Sequence, residues 1–103
     1  MADWGALAER LEVATGADAD LDGMLAQSLS LPANIYTGSV DAARALVAVA
    51  LPGWHLHVGF DVSGLFPYAA ITQGDIHVEA TAPTVPLAVL RAALKLADHF
   101  QSR

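Results

Sequence analysis

The segment Tyr36–Gly59 constrains the fold more than any other part of this 103-residue chain. It contains a helix start at Ser39, an apolar helix, a stop at Pro52-Gly53 and a stretch in which apolar and polar residues alternate. A serine hydroxyl caps the first turn of a helix, and proline followed by glycine ends one. The period then changes from about 3.6 residues to about 2, which predicts a helix followed directly by a half-buried strand.

Two further helices are predicted before this segment. Asp3 caps the first, and Thr15-Gly16 closes it. The second opens near Asp18 or Asp20 and ends at Pro32, because its leucines and methionine recur at helical spacing up to that point.

After the first strand, short turns predict an antiparallel meander. Ser63-Gly64 and Gln73-Gly74-Asp75 separate two more strands, over 66–72 and 76–80, and Thr84 caps a last helix. We therefore predict one domain over residues 1–103 with an α+β fold, in the order ααα-βββ-α, with a three-stranded antiparallel sheet. The sheet face toward the helices is predicted to carry Trp54, Leu56, Val58, Phe60, Ile76 and Val78.

The composition excludes several classes of protein. The chain has no cysteine, which rules out disulfides, zinc-thiolate sites and cysteine nucleophiles. No apolar run reaches the ~18–20 residues of a spanning helix, and no signal peptide is visible, so we expect no membrane contact and a cytoplasmic location. Charged residues make up only 16% of the chain, against about 25% in typical domains. That deficit predicts that a partner or a second copy, as in a homodimer, covers part of an apolar surface.

The charge is unevenly distributed along the chain. The net charge is −6, and residues 1–35 contain six acidic residues and one cation, Arg10. This opposes binding to a nucleic-acid backbone, which needs clustered lysine and arginine, and it suits either a solvated exterior or a basic protein partner. The candidate partner-binding residues are Trp4, Glu9, Glu12, Asp18, Asp20, Asp22 and Tyr36.

The strand histidines give an alternative hypothesis, a metal or small-ligand site. His55 and His57 share one strand face, and His77 and Glu79 share a face two strands further on. Zinc accepts such ligands. In a simple meander the two pairs begin about 9–10 Å apart, because neighbouring strands lie about 4.8 Å apart. A shared site therefore requires adjacent first and third strands or a second chain, and half-buried polar residues or interface histidines are the other interpretations.

Other chemical motifs are incomplete. The acidic run from Asp18 to Gly23 matches the first half of a calcium loop, but Leu29 stands where the bidentate glutamate is needed. No serine lies in a Gly-x-Ser-x-Gly elbow, and no glycine-rich phosphate loop is present. We predict that the protein is not an enzyme and carries no cofactor.

Several segments, taken in order, resemble the phage ABA sandwich domain family. They are residues 7–12 with Thr15-Gly16, residues 36–43 with Pro52-Gly53-Trp54, and the closing stretch 87–94. The resemblance covers roughly residues 6–97 and implies an alpha-beta-alpha sandwich encoded by phages or prophages, with no assigned catalytic residues. It leads us to expect a small acidic accessory protein that acts by protein–protein interaction in the host cell. Inhibition of a host defence system is one form that such an interaction takes.

Overall fold

The computed structural model describes residues 4–60 and 62–101, with side chains for 5–60 and 62–96. The predicted α+β fold is confirmed, with a three-stranded antiparallel sheet and the element order ααα-βββ-α. The elements are α1 (Trp4–Val13), α2 (Ala19–Leu29), α3 (Val40–Ala50), β1 (His55–Phe60), β2 (Pro67–Gln73), β3 (Ile76–Thr81) and α4 (Val85–Gln101).

α2 and α3 begin at predicted capping residues, whereas Asp3, the predicted cap of α1, lies outside the described residues. Asp18 accepts the Leu21 N–H at 3.1 Å, and Ser39 accepts the Ala42 N–H at 3.1 Å. Each side chain thus satisfies one of the N–H groups that a first turn leaves without a partner. α2 ends at Ser30, whose φ of 56° lies in the left-handed region, two residues before the predicted stop at Pro32.

The sheet is the predicted meander, with β2 in the centre. The β2–β3 turn contains Gly74 at φ 60°, a backbone conformation that side chains disfavour. The register aligns His57 with Ala70 and Ala70 with Glu79, so the first and third strands are separated by the middle strand across the whole sheet.

α4 is the centre of the molecule. It packs on β2 and β3 on one side, less on β1, and on α1 and α3 on another side. Seven of its residues between 87 and 94 are buried, which leaves it almost no polar face over that stretch. The layers therefore follow the order sheet, α4, and then α1 with α3.

The sheet face toward α4 is the one predicted from the alternation. Trp54, Leu56 and Val58 are partly buried and pack against the core, as do Ile76 and Val78. Phe60 was expected in this core with Trp54, and that expectation is wrong, because its side chain is 61% exposed. Of the three strands, the edge strand β1 has the least contact with α4.

Arg91 ties three elements together through backbone oxygens. Its guanidinium donates to Leu11 O at 2.8 Å and Glu12 O at 2.8 Å, at the end of α1, and to Ala14 O at 3.4 Å. It also donates to Thr81 O on β3 at 3.0 Å. The last carbonyls of a helix have no partner within the helix, so one side chain caps α1 and joins it to α4 and the sheet.

Replacing Arg91 should destabilise the fold. We expect Arg91→Met to lower the free energy of unfolding by about 1–3 kcal/mol, because the donors are lost while the carbonyls they satisfied remain. Arg44→Met is the matched control, because Arg44 is exposed on α3 and surface changes of this kind stay within about 0.5 kcal/mol. Urea unfolding of both variants measures the difference, and equal losses would contradict the role given to Arg91.

Candidate functional site

Two of the predicted partner-binding residues are structural instead. Tyr36 is only 3% exposed, and its hydroxyl donates to Pro32 O at 2.6 Å. Asp22 is 9% exposed, and its carboxylate accepts both the N–H and the hydroxyl of Thr37, each at 2.7 Å. The expectation that Tyr36 and Asp22 offer contacts to a partner is therefore wrong. Both hold the 32–38 loop against α2.

Asp18 also has a structural task. Besides capping α2, it pairs with Arg10 at 3.0 Å across the α1–α2 connection. The cap bond from Leu21 N–H, followed by the hydrogen bond from Arg10, holds the pKa of the Asp18 carboxyl below its ordinary value. The half-loop proposed for calcium is thus folded as a helix N-terminus.

The remaining acidic residues lie on the surface. Glu9 and Glu12 on α1 and Asp20 on α2 are exposed. The side chain of Trp4 lies outside the described residues. The acidic surface predicted from the sequence is therefore smaller than expected, because two of its carboxylates are engaged within the fold.

The histidine face of the sheet does not bring its candidate ligands together. His77 Nε2 lies 3.1 Å from Glu79 Oε1 on β3, whereas the β1 residue His57 stacks obliquely on Tyr68 with ring centroids 5.8 Å apart. β2 separates the two groups, and His55 faces His77 only across Thr72. Within 5–60 and 62–96, no set of three or more histidine or acidic side chains is arranged to hold a metal ion.

The two edges of the sheet differ in their hydrogen bonding. Ala82 N–H donates to Pro67 O at 3.1 Å, which marks this pair as a hydrogen-bonded one. Hydrogen-bonded pairs alternate along an antiparallel ladder. The register therefore directs the backbone N–H and C=O groups of alternate β1 residues toward β2. The backbone groups of the other β1 residues point outward. The outward groups belong to Leu56, Val58 and Phe60 on β1, and to His77, Glu79 and Thr81 on β3.

The β3 edge is covered by side chains of α4. Arg91 donates to Thr81 O at 3.0 Å, and Lys95 Nζ donates to Glu79 O at 2.8 Å. Both acceptors are outward carbonyls in the assignment above, which supports it independently. Positive side chains at an edge are a recognised way of preventing further strand pairing. The outward N–H and C=O groups of β1 have no such partner among the described residues.

Beside the open edge lies an exposed apolar surface, which we call the hairpin cluster. It consists of the side chains of Phe60, Val62, Leu65 and Phe66, at the end of β1 and in the β1–β2 connection. Leu65 is 73% exposed, and Val62 is fully exposed. A groove of about 540 Å³ adjoins the cluster and is lined by Phe60, Val62, Tyr68, Glu79, Ala80, Thr81 and Lys95.

Sequence analysis missed the hairpin cluster. The available signal was the apolar character of the residues around the Ser63-Gly64 turn, where polar residues are usual. The sequence pattern assigns Phe60 and Phe66 to strands, and Val62 and Leu65 to the turn between them. Chemically, the cluster places apolar side chains beside the outward backbone groups of β1, which suits binding rather than bond making. A second groove, of about 390 Å³, lies between the ends of α2 and α3 and the side of α4.

Comparisons with protein-family models, with curated proteins and with solved structures give no match for this chain. The resemblance to the phage ABA sandwich family therefore stays a prediction. Within the described residues, every helix is too short or too polar to cross a lipid bilayer.

The exposure of the hairpin cluster predicts that it contributes little to folding. We expect Leu65→Ala to change the free energy of unfolding by less than about 0.5 kcal/mol. The same change at the buried Leu87 should lower it by about 2–5 kcal/mol through the lost contacts and the cavity. Denaturant unfolding of the two variants tests this, and a large loss for Leu65→Ala would show that the cluster is part of the core.

The lowered pKa of Asp18 predicts part of the acid sensitivity. A carboxyl group whose pKa is lower in the folded state stabilises the fold at pH values above its unfolded-state pKa of about 3.9. This stabilisation is lost as the pH falls through the folded-state pKa. Between about pH 5 and about pH 2 we therefore expect the free energy of unfolding to fall less for Asp18→Asn than for the wild type. Asparagine keeps the cap but not the titrating charge.

Asp20→Asn is the matched control for this measurement, because it removes a carboxylate from the same turn without removing the cap or the ion pair. Its stability curve against pH should follow that of the wild type. Parallel curves for all three proteins would contradict the role given to Asp18.

Proposed function

We propose that this protein is a small non-enzymatic interaction protein whose contact surface is the hairpin cluster. One observation carries the proposal: four large apolar side chains are exposed together on one hairpin of a chain with few charges. Single exposed apolar residues are ordinary, whereas several in one short connection beside polar residues are typical of a protein-binding surface.

The composition of the surface supports this proposal. Its centre offers aromatic and aliphatic side chains, which dominate binding energy when a partner excludes water from them. Lys95 and Glu79 stand at the edge of the adjoining groove and are tied to each other through the Lys95 Nζ bond to Glu79 O. Polar groups in that position set orientation more than affinity.

The biological setting is part of the same proposal. The resemblance to the phage ABA sandwich family supports an accessory protein of a phage or prophage that acts in the cytoplasm of the host cell. The exposed Glu9, Glu12 and Asp20 support a partner with a basic region beside the apolar one. Such a partner fits the hypothesis that the protein inhibits a host defence system.

Affinity purification with matched variants tests the proposal. A tagged wild-type chain, Leu65→Asp and Val13→Asp are each produced in the natural host and purified under identical conditions. Both substitutions place one acid at an exposed apolar position, but Val13 lies on α1 and belongs neither to the hairpin cluster nor to the lining of its groove. We expect a protein partner that is retained by the wild type and by Val13→Asp and is lost with Leu65→Asp, because a buried unpaired charge is costly.

The decisive comparison is between the two variants rather than the recovery of any one protein. Quantitative mass spectrometry of the three eluates supplies it, and circular dichroism confirms that each variant is folded. If no protein differs between Leu65→Asp and Val13→Asp, the hairpin cluster is not the contact surface and the proposal fails.

A further inference from the structure

We propose that β1 pairs with β1 of a second copy of this chain, giving one continuous six-stranded antiparallel sheet across a twofold axis. The inference rests in part on the proposed function, because Phe60 belongs both to the hairpin cluster and to the paired strand. It goes beyond that function by naming the occupant of the open edge and the register of the contact.

The first argument is the difference between the two edges. Arg91 and Lys95 of α4 cover the outward carbonyls of Thr81 and Glu79 on β3. On β1 the outward groups of Leu56, Val58 and Phe60 have no partner in the described part of the chain. A row of unpaired N–H and C=O groups is a template for another strand, and β1 carries no lysine, proline or acidic residue that would blunt it.

The second argument is that β1 is complementary to itself. When a twofold axis runs perpendicular to the sheet, each side chain of one β1 lies opposite a side chain of the second β1 on the same face of the sheet. Centred on Val58, the register sets Val58 opposite its own copy and Phe60 opposite Leu56 of the second copy. The three outward residues then form hydrogen-bonded pairs with about six backbone hydrogen bonds, two for each pair.

This register covers two of the apolar side chains that the monomer leaves exposed, Phe60 and Val62. Phe60, which is 61% exposed, comes to lie over Leu56 of the second copy. Val62, just beyond the strand, approaches Trp54 of the second copy at the end of the contact. Cross-strand pairs of aromatic and branched apolar residues are the ones that stabilise sheets.

On the opposite sheet face, His57 falls opposite Gly59 of the second copy. The Tyr68 ring of that copy lies over Gly59, 3.1 Å from the position that a Cβ would take, so the imidazole meets an aromatic ring there. No charged residue within β1 faces another, because the strand contains none apart from its histidines. The exposed Glu9, Glu12 and Asp20 lie on α1 and α2, whereas the elements that pack most on β1 are β2 and α4.

A second copy fits this edge better than an unrelated strand. An isologous contact needs only one sequence to match itself, and homodimers with twofold symmetry are the commonest assemblies of soluble proteins. Here the match extends over residues 56–60, with apolar residues facing apolar residues on one face and histidine facing glycine on the other.

Disulfide trapping tests the register directly, because the chain has no cysteine of its own. Val58→Cys places two thiols on the twofold axis, where the Cα atoms of a hydrogen-bonded pair lie about 5.5 Å apart, within the range of about 4.4–6.8 Å for disulfides. Thr81→Cys, on the covered edge, is the matched control for random collisions. We expect oxidation to yield a covalent dimer about 10-fold faster for Val58→Cys than for Thr81→Cys, since only the former is preorganised.

Sedimentation equilibrium supplies an independent measurement without cysteine. We expect a dimer for the wild type, a dissociation constant raised at least about 10-fold by Phe60→Asp, and no change with Val13→Asp, which lies on α1. A monomeric wild type, or equal cross-linking of Val58→Cys and Thr81→Cys, would overturn the inference. Melting curves of the variants show whether a lost dimer reflects a lost fold.

The outcomes separate this inference from the proposed function. Leu65 lies outside the paired register, so Leu65→Asp should leave the dimer intact while it removes the foreign partner. If the protein is a dimer but no partner depends on Leu65, the proposed function is contradicted and the β1 pairing is not. If the protein is a monomer and Leu65→Asp still abolishes partner binding, the β1 pairing is contradicted and the proposed function is not.

Discussion

The rest of the structure depends on the burial of α4 on nearly all sides. A helix whose residues are almost continuously apolar has no face to offer to water, so it must lie between two other layers. The sheet supplies one layer and the α1–α3 pair supplies the other. This requirement explains why a chain of modest length forms three layers. It also explains why alanine recurs in α4, since Ala88, Ala92 and Ala93 are buried where neighbouring elements come close.

Polar side chains then fix how the outer elements sit on this central helix. Arg91 satisfies the carbonyls at the end of α1 together with one on β3, and the Asp22 carboxylate satisfies both donors of Thr37. A buried polar group without a partner is costly, so these bonds admit few alternative arrangements. No buried side-chain nitrogen or oxygen of the described residues lacks a hydrogen bond. The apolar core determines which faces of the elements pack together, and these hydrogen bonds fix the positions of the elements relative to one another.

The element order could be predicted from the sequence because each boundary is encoded locally. Ser39 and Asp18 cap helices through their own side chains, and the alternation around Leu56 and Val58 reports a half-buried strand. Residues whose environment depends on distant elements could not be placed in this way. Asp22 looks like a surface residue in the sequence, but Thr37, 15 positions further along the chain, comes to it only after folding.

The candidate site was less predictable than the fold. Phe60 continues the apolar alternation of its strand. Nothing in the local sequence indicates that α4 contacts β1 less than it contacts β2 and β3. The hydrogen bonds from Arg91 and Lys95 to β3 link residues 10 and 16 positions apart in the chain. The contrast between a covered and an open edge exists only in three dimensions, because it depends on which flank of the sheet α4 occupies.

The covered edge has a consequence for how far assembly can extend. Strand addition between unlike edges would repeat indefinitely and yield filaments, whereas addition between like edges closes after two molecules. Arg91 and Lys95 occupy the outward carbonyls of Thr81 and Glu79 on β3, which disfavours head-to-tail growth at that edge. Two basic side chains of α4 thus oppose strand addition at one edge of the sheet. The unpaired edge of β1 can then bind another strand without leading to amyloid-like polymerisation.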